Sequence, residues 1–153
     1  MTWEEAKQKG IEARVKVMLA GESPVFLARM QSGFAGLGDS QLLPGYCVLV
    51  AYSLVASLED LSLEQRLIFL RDMSLLGQAV FEVCSPLRMN YSIYGNYDHF
   101  LHAHIRARYA WEADERRKAP YDRYPAEECN SPEVAIETGK YEELRLKIQK
   151  RLV

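Results

Sequence analysis

Features that would mark a specialised class of protein are scarce in this chain of 153 residues. Its 19 Lys and Arg residues against 21 Asp and Glu residues give a net charge of −2, so no overall positive field attracts polymeric nucleic acid. No apolar run approaches membrane-spanning length, and the acidic first residues differ from the basic start of a signal peptide. We therefore expect a cytoplasmic protein whose partners include neither a membrane nor a nucleic-acid polymer.

Cysteine is also scarce. Cys47, Cys84 and Cys129 are an odd number and form no close pair, so neither a disulfide framework nor a CxxC zinc site is indicated. Cys47 lies in an apolar run and is most simply a core residue. With 48% apolar and 26% charged residues the composition is that of a globular protein. We expect no cofactor.

Short apolar runs separated by turn residues predict strands. Residues 25–30 and 34–37 are joined by a polar turn and predict a hairpin, whereas 46–52 is apolar on both faces and is typical of a central strand. Two further runs, 89–94 and 99–109, also favour strands. Because these strands surround one long helix, the pattern predicts an α+β fold, an antiparallel sheet with helices packed on it.

Capping-box sequences mark two helix starts. The first, at Thr2, opens an N-terminal helix that Gly10 is placed to divide into two pieces. The second, at Ser62, opens the long helix, which we expect to end at about Val83. Both boxes combine a hydroxyl side chain with a Glu or Gln three residues later, so each satisfies free backbone N–H groups.

Helical spacing predicts which side of the long helix faces the sheet. One apolar stripe consists of Leu67, Leu70, Gly77, Phe81 and Cys84, and it is widened by Ile68, Met73, Leu76 and Val80. The other side carries Arg66, Arg71, Asp72 and Gln78. We expect the apolar stripe to be buried against the sheet and the charged side to be solvated.

We expect one domain over residues 1–153. Its parts are an N-terminal helical segment (about 1–22), a core (23–109), and an irregular segment followed by a C-terminal helix (110–153). Within the last part, residues 112–118 mix charges of both signs and are most simply a solvated surface.

All three histidines, His99, His102 and His104, lie within six residues of one another. Alternate side chains of a strand share a face, so the strand 99–109 has one largely apolar face. The other face carries Asp98, Phe100, His102, His104, Arg106 and Arg108. A row of imidazoles and guanidiniums repels itself unless an anion occupies it.

Three interpretations of this polar face are open. It can be an ordinary solvated face, a two-histidine metal site at His102 and His104, or a phosphate site with a nucleophilic histidine. The metal interpretation is weakest, because no cysteine is near and the only acidic residue of this face lies four residues from the first imidazole. We favour a phosphate site in which Arg106 and Arg108 neutralise phosphate oxygens and Asn96, in a preceding turn, donates to the leaving group.

The segment from Asn90 to Tyr109 resembles the signature of the histidine triad (HIT) family, whose pattern is His-φ-His-φ-His-φ-φ with φ apolar. Upstream, Gly38 to Val50 is similar to the turn and the Pro-Gly-φ strand of that family. The resemblance covers about residues 23–109. It implies a HIT-like antiparallel sheet of about five strands with a long helix packed on it, usually paired into a homodimer.

The resemblance also implies a function. The family binds small nucleotides and hydrolyses or transfers them at the α-phosphate, in dinucleoside polyphosphates or nucleoside phosphoramidates, through a covalent nucleotidyl-histidine. By position, His102 is the nucleophile and His104 holds phosphate and orients the site. Asn96 falls near the leaving group, and Asp39 falls near the ribose.

The sequence departs from the family pattern in three places. Phe100 stands at the first triad position, and His99 points to the other face and does not replace that histidine. Ala107 stands where the family has Pro, and Arg106 where an apolar residue is usual. A catalytically weak nucleotide-binding or phosphate-binding interaction protein is therefore the alternative to an enzyme.

Overall fold

The computed structural model describes residues 1–152 as five strands and six α-helices, with short 3₁₀ turns between some of them. The strands are β1 (Phe26–Arg29), β2 (Gly33–Leu37), β3 (Cys47–Ala51), β4 (Arg88–Ser92) and β5 (His102–Arg108). The helices are α1 (Trp3–Lys9), α2 (Ile11–Leu19), α3 (Leu63–Cys84), α4 (Asp114–Lys118), α5 (Ala126–Cys129) and α6 (Glu142–Leu152).

The strands form one antiparallel sheet in the order β1-β2-β3-β5-β4, which confirms the α+β architecture expected from the sequence. The predicted hairpin is β1 and β2, and β3 is the central strand. Val48 and Val50 of β3 lie opposite His104 and His102 of β5, so their side chains share a face. At the far edge, β4 pairs with β5 and with no other strand among residues 1–152.

The capping box of α3 is present: the Ser62 hydroxyl accepts from the Gln65 N–H at 3.2 Å, and the Gln65 side chain accepts from the Ser62 N–H at 3.0 Å. The helix ends at Cys84, one residue beyond the expected end. It lies close to β4, because a Cβ added at Gly77 would stand 2.1 Å from the Tyr91 hydroxyl.

The buried side of α3 includes only part of the apolar stripe that the sequence predicts, including Leu76 and Val80. Phe69, Leu76 and Val80 are fully buried, whereas Leu67 and Phe81 remain 58% and 48% exposed. Asp72, expected in solvent, is buried, and its carboxylate accepts from the N–H and hydroxyl of Ser32 in the β1–β2 turn at 2.7 and 2.6 Å. Because the apolar stripe of α3 is wide, its spacing alone does not identify which part of the stripe faces the sheet.

The alternation predicted for β5 is confirmed. Leu101, Ala103, Ile105 and Ala107 are buried in the core. The strand begins at His102 rather than at residue 99, because the chain before it forms an irregular loop. The loop is anchored next to the site, since the Leu101 N–H donates to the carbonyl of Val55 at 2.6 Å.

The two ends of the chain pack beside the sheet. Gly10, with φ of 96°, separates α1 from α2, as its position predicts. On α6, Arg145 and Gln149 donate to the carbonyls of Phe26 and Leu27 in β1 at 2.8 and 2.9 Å, so this helix covers the β1 edge. No helix within residues 1–152 combines the length and apolar character needed to span a membrane.

The charged run 112–118 is not uniformly solvated, which corrects the sequence-based expectation. Glu112 is buried and forms an ion pair with buried Arg108, with Oε1 3.0 Å from Nη2. Its carboxylate also accepts from the Tyr109 N–H and the Tyr124 hydroxyl, each at 2.7 Å. Burial acts to raise the pKa of Glu112, but the hydrogen bonds from Arg108 and Tyr124 outweigh it and lower the pKa.

Candidate functional site

A cavity of about 400 Å³ lies over the polar face of β5. His102, His104 and Arg106 line it from β5, and Val48 and Val50 line it from β3. Further lining residues come from the N-terminal helices, the end of β2, the β2–β3 turn and the segments before and after β5. They include Met18, Leu37, Asp39, Tyr46, Phe100 and Tyr121. The cavity therefore has an apolar part and a part built from imidazole, guanidinium and phenol groups.

His102 is buried and held by the backbone. Its Nδ1 lies 2.8 Å from the carbonyl oxygen of Phe100. A carbonyl oxygen only accepts hydrogen bonds, so Nδ1 of His102 carries the hydrogen. In the neutral ring Nε2 then keeps its lone pair, which is the form of imidazole that acts as a nucleophile.

His104 is half-buried and has a side-chain partner. Its Nδ1 lies 2.7 Å from the Tyr46 hydroxyl. Burial, together with the nearby His102 and Arg106, lowers the pKa of His104 from 6.5 to about 4, and burial raises the pKa of Tyr46 to about 12. At neutral pH this pair is therefore a neutral imidazole and a neutral phenol.

Arg106 lies between two aromatic rings. Its guanidinium carbon is 3.6 Å from the ring centroid of Tyr46 and 3.6 Å from that of Tyr121. The two rings are nearly parallel, with 27° between their planes. Stacking on both faces leaves the N–H groups of a planar guanidinium directed outward at its edges, where they are free to meet an anion.

Solved structures with a similar fold are histidine triad proteins. One from Sinorhizobium meliloti is 16% identical with a TM-score of 0.69, covering 84% of this chain and 89% of that chain. One from Marinobacter aquaeolei is 22% identical with a TM-score of 0.65, covering 83% and 87%. A hypothetical histidine triad nucleotide-binding protein from Sulfolobus tokodaii is 14% identical with a TM-score of 0.64, covering 90% and 89%.

The chain has the HIT fold. No family model matches the sequence, and no curated protein matches it. With identities below a quarter, the solved structures establish the architecture, which confirms the expectation from the resemblance. The assignment of reacting residues depends on the geometry of this chain.

In this HIT fold, Phe100 at the first triad position packs directly on His102, with ring centroids 4.4 Å apart. It gives His102 an apolar neighbour through its ring and a hydrogen-bond acceptor through its carbonyl. The backbone of residue 100 therefore orients the imidazole even though the side chain has no polar atom.

Three other sequence-predicted residues lie in different surroundings. Asp39 is exposed and lines the cavity. Asn96 is exposed in the loop between β4 and β5 and does not line this cavity. Arg108 shares the polar face of β5, but its guanidinium is enclosed by Glu112 and by the Arg116 and Ala119 carbonyls. We therefore correct the substrate-binding assignment of Arg108: its N–H groups are occupied by the fold.

Tyr46 and Tyr121 are site residues to which the sequence alone assigned no role. Applying the two-residue period to β3 groups Tyr46 with Val48 and Val50, which was the available signal. Tyr121 follows the sheet on an irregular segment, so no periodicity places it beside Arg106. Among residues 1–152, no group of three or more His, Cys, Asp and Glu side chains is arranged to hold a metal ion.

Proposed function

We propose that this chain is a nucleotide-binding phosphohydrolase or nucleotidyl transferase that acts at a nucleotide α-phosphate through a covalent intermediate on His102. The observation that carries the proposal is the hydrogen bond from His102 Nδ1 to the Phe100 carbonyl. It gives a neutral imidazole one free lone pair, on Nε2, beside a cavity large enough for a small ligand. The Sulfolobus tokodaii neighbour, a hypothetical nucleotide-binding protein, agrees with this class of ligand.

The reaction has two displacements at phosphorus. First, the Nε2 lone pair of His102 forms an N–P bond as the P–O or P–N bond to the leaving group breaks. The electron pair of the broken bond leaves with that group, and an amine leaving group takes up a proton from solvent. The substituted imidazole is positively charged, and the Phe100 carbonyl stabilises it by accepting the hydrogen bond from Nδ1–H. Second, water attacks phosphorus, the N–P electron pair returns to Nε2, and the proton of the water passes to solvent.

His104 acts as a hydrogen-bond donor in this scheme. The Tyr46 phenol has one hydrogen, and His104 Nδ1 is its one hydrogen-bond partner within residues 1–152. When Tyr46 donates that hydrogen to Nδ1, the neutral His104 ring carries its own hydrogen on Nε2. The two histidines thus hold opposite tautomers. Nε2 of His102 has a lone pair that attacks phosphorus, and Nε2 of His104 has a hydrogen that it donates to a phosphoryl oxygen.

The apolar part of the cavity accommodates the nucleoside. Met18 and Leu37 offer apolar contacts for a base, and Asp39 at the exposed rim offers a carboxylate for ribose hydroxyls. Asn96 lies outside the cavity in this conformation, so its approach to the leaving group requires movement of the β4–β5 loop.

The alternative is a catalytically weak nucleotide-binding or phosphate-binding interaction protein, and Phe100 is the observation that favours it. An apolar side chain at the first triad position removes one hydrogen-bonding group from the surroundings of the nucleophile. Binding would survive this loss more readily than catalysis, because catalysis depends on contacts made in the transition state.

Single-turnover trapping distinguishes the two functions. Enzyme in excess is mixed with an adenosine phosphoramidate or a dinucleoside polyphosphate, quenched in acid-free denaturant, and analysed by intact mass and peptide mass spectrometry. We expect one added nucleotidyl group on the peptide that contains His102. Stable nucleotide binding with neither adduct nor product would establish the interaction protein instead.

We also propose that the chain forms a homodimer through α3 and β4. The side of α3 that the sheet does not cover exposes Leu63, Leu67 and Phe81, and the neighbouring β4 exposes Tyr91. A second copy would cover this apolar surface and the unpaired β4 edge together. Light scattering should give about twice 17.5 kDa, and Leu67→Glu with Phe81→Lys should return it to that monomer mass. A monomeric wild type at micromolar concentration would contradict the dimer.

A further inference from the structure

A second concave region, which we call the basic groove, adjoins the histidine cavity. It has a volume of about 710 Å³ and lies between β4 and residues 117–122. Arg106 and Tyr121 line both the groove and the cavity, so the two adjoin at these side chains. The groove is not used by the chemistry at His102 as described above.

Cations dominate the lining of the groove. Arg88, Arg106, Arg117 and Lys118 contribute positive charges, and Asp122 is the one acidic residue among the lining residues. Arg88 is exposed and, within residues 1–152, has no carboxylate within ion-pair distance. Arg117 and Lys118 share a single carboxylate on α4, which leaves an excess of positive charge at the groove.

Register places Arg88 and Arg106 on the same face of the sheet as the histidines. Arg88 lies opposite Arg108, and Asn90 lies opposite Arg106, so β4 and β5 present their polar side chains side by side. Arg106 lies four positions after His102 along β5, which corresponds to about 13 Å in an extended strand. An anionic chain attached to a phosphorus atom at His102 therefore has a row of positive charge to follow.

We propose that the basic groove binds the leaving group of the substrate, and that this leaving group is a polyphosphate chain rather than an amine. The inference rests on the proposed function, because it assumes an α-phosphate at His102. Arg106, held between Tyr46 and Tyr121, meets the first phosphate beyond the bond that breaks, and Arg88 and Lys118 meet the following ones. A neutral or cationic amine leaving group would gain nothing from these side chains.

Calorimetric binding of three probes tests this assignment: AMP, α,β-methylene-ATP and inorganic tripolyphosphate. The methylene group prevents cleavage at the α-phosphate, so binding is measured without turnover. At low salt we expect α,β-methylene-ATP to bind at least about tenfold more tightly than AMP, since each charge-assisted hydrogen bond contributes about that factor. High salt should reduce the ratio.

The double variant Arg88→Gln, Lys118→Gln should bring the two affinities to within about threefold while the Kd of AMP stays unchanged, since AMP does not enter the groove. Lys147→Gln is the matched control, because Lys147 is an exposed cation paired with Glu143 on α6, and it should leave all three affinities unchanged. Arg106→Gln should lower the affinity for tripolyphosphate.

The outcomes separate the groove from the proposed function. If AMP binds but the wild-type ratio is near one, or the double variant keeps the wild-type ratio, the groove assignment is wrong and the function stands. If no nucleotide binds, the proposed function and the leaving-group assignment both fall. Tripolyphosphate binding that the double variant loses would then support the groove only as an anion site.

Discussion

The two ends of β5 show how one strand face serves chemistry and stability at once. At its start, His102 and His104 each have one hydrogen-bond partner within residues 1–152, so each ring has a second nitrogen available to a ligand. At its end, Arg108 is surrounded by acceptors, including Glu112 and Asn90. A buried polar group with every bond satisfied fixes the fold, whereas a group held by one bond is oriented and still available.

The largest effect that sharpens this comparison is expected at His102. His102→Asn retains a polar side chain of similar size but no nucleophilic nitrogen, so turnover should fall by at least about 10³-fold. AMP binding should stay within about tenfold of wild type, because the lost group acts in the transition state. Single-turnover kinetics and calorimetry measure the two quantities. A variant with the wild-type rate would rule out the covalent-histidine mechanism.

At the other end of β5, a substitution should act on stability instead. Glu112→Ala leaves the Arg108 guanidinium buried without its carboxylate, so the free energy of unfolding should fall by about 3–5 kcal/mol in urea denaturation. The rate per folded molecule should be unchanged. Tyr124→Phe, which removes one hydrogen bond to Glu112, should lower stability by only about 1 kcal/mol and keeps the test usable if Glu112→Ala does not fold.

Glu143→Ala is the control for that pair. Glu143 forms an exposed ion pair with Lys147 on α6, and such pairs contribute less than about 1 kcal/mol. If Glu112→Ala and Glu143→Ala had equal effects, or if Glu112→Ala lost turnover without losing stability, the division of β5 into a chemical end and a structural end would be wrong.

The sequence predicted the face of β5 but not the role of each member of that face. The two-residue period follows from the geometry of a strand, so it correctly separated His102 and His104 from the buried Ala103 and Ile105. What distinguishes Arg106 from Arg108 lies off the strand. Glu112 forms an ion pair with the guanidinium of Arg108, whereas the ring of Tyr121 stacks on the guanidinium of Arg106. No periodicity links the segments that carry Glu112 and Tyr121 to β5.

The absence of tertiary information also explains why the buried side of α3 was only partly predicted. Asp72 is charged and was expected in solvent, yet it is buried because the β1–β2 turn presents the N–H and hydroxyl of Ser32 to its carboxylate. Leu67 belongs to an apolar stripe and remains exposed on the side of α3 that the sheet does not cover. The local sequence pattern shows whether a residue is apolar or charged. Which residue it contacts depends on the tertiary structure.

A smaller effect concerns the pH dependence of folding. The pKa of His104 is lowered from 6.5 to about 4 by burial and by the nearby His102 and Arg106. Below pH 6.5 the unfolded chain binds a proton that the folded chain accepts only near pH 4, so the free energy of unfolding should fall as the pH is lowered through this window. The loss should be on the order of 2–3 kcal/mol.

Urea denaturation of wild type and His104→Gln between pH 7 and pH 4 isolates this contribution, because the variant lacks the titrating ring. The difference between the two curves should shrink toward acid. His99→Gln, at an exposed histidine outside the cavity, is the matched control and should follow wild type. Parallel curves for wild type and His104→Gln would show that His104 is protonated equally in both states.

The smallest expected effect separates the two histidines by their partners. Tyr46→Phe removes the phenol hydrogen from His104 Nδ1, so the ring loses its preference for the Nε2–H tautomer and its pKa rises. Nitrogen-15 chemical shifts of His104 should move toward a mixture of tautomers while those of His102, held by the Phe100 carbonyl, stay unchanged. Because one hydrogen bond to phosphate is weakened, kcat should fall about tenfold.

Tyr121→Phe removes a hydroxyl from the other ring that stacks on Arg106 and should leave the His104 shifts as in wild type. A Tyr46→Phe protein with wild-type nitrogen shifts would show that the phenol does not set the tautomer, and the donor role of His104 would then need another cause.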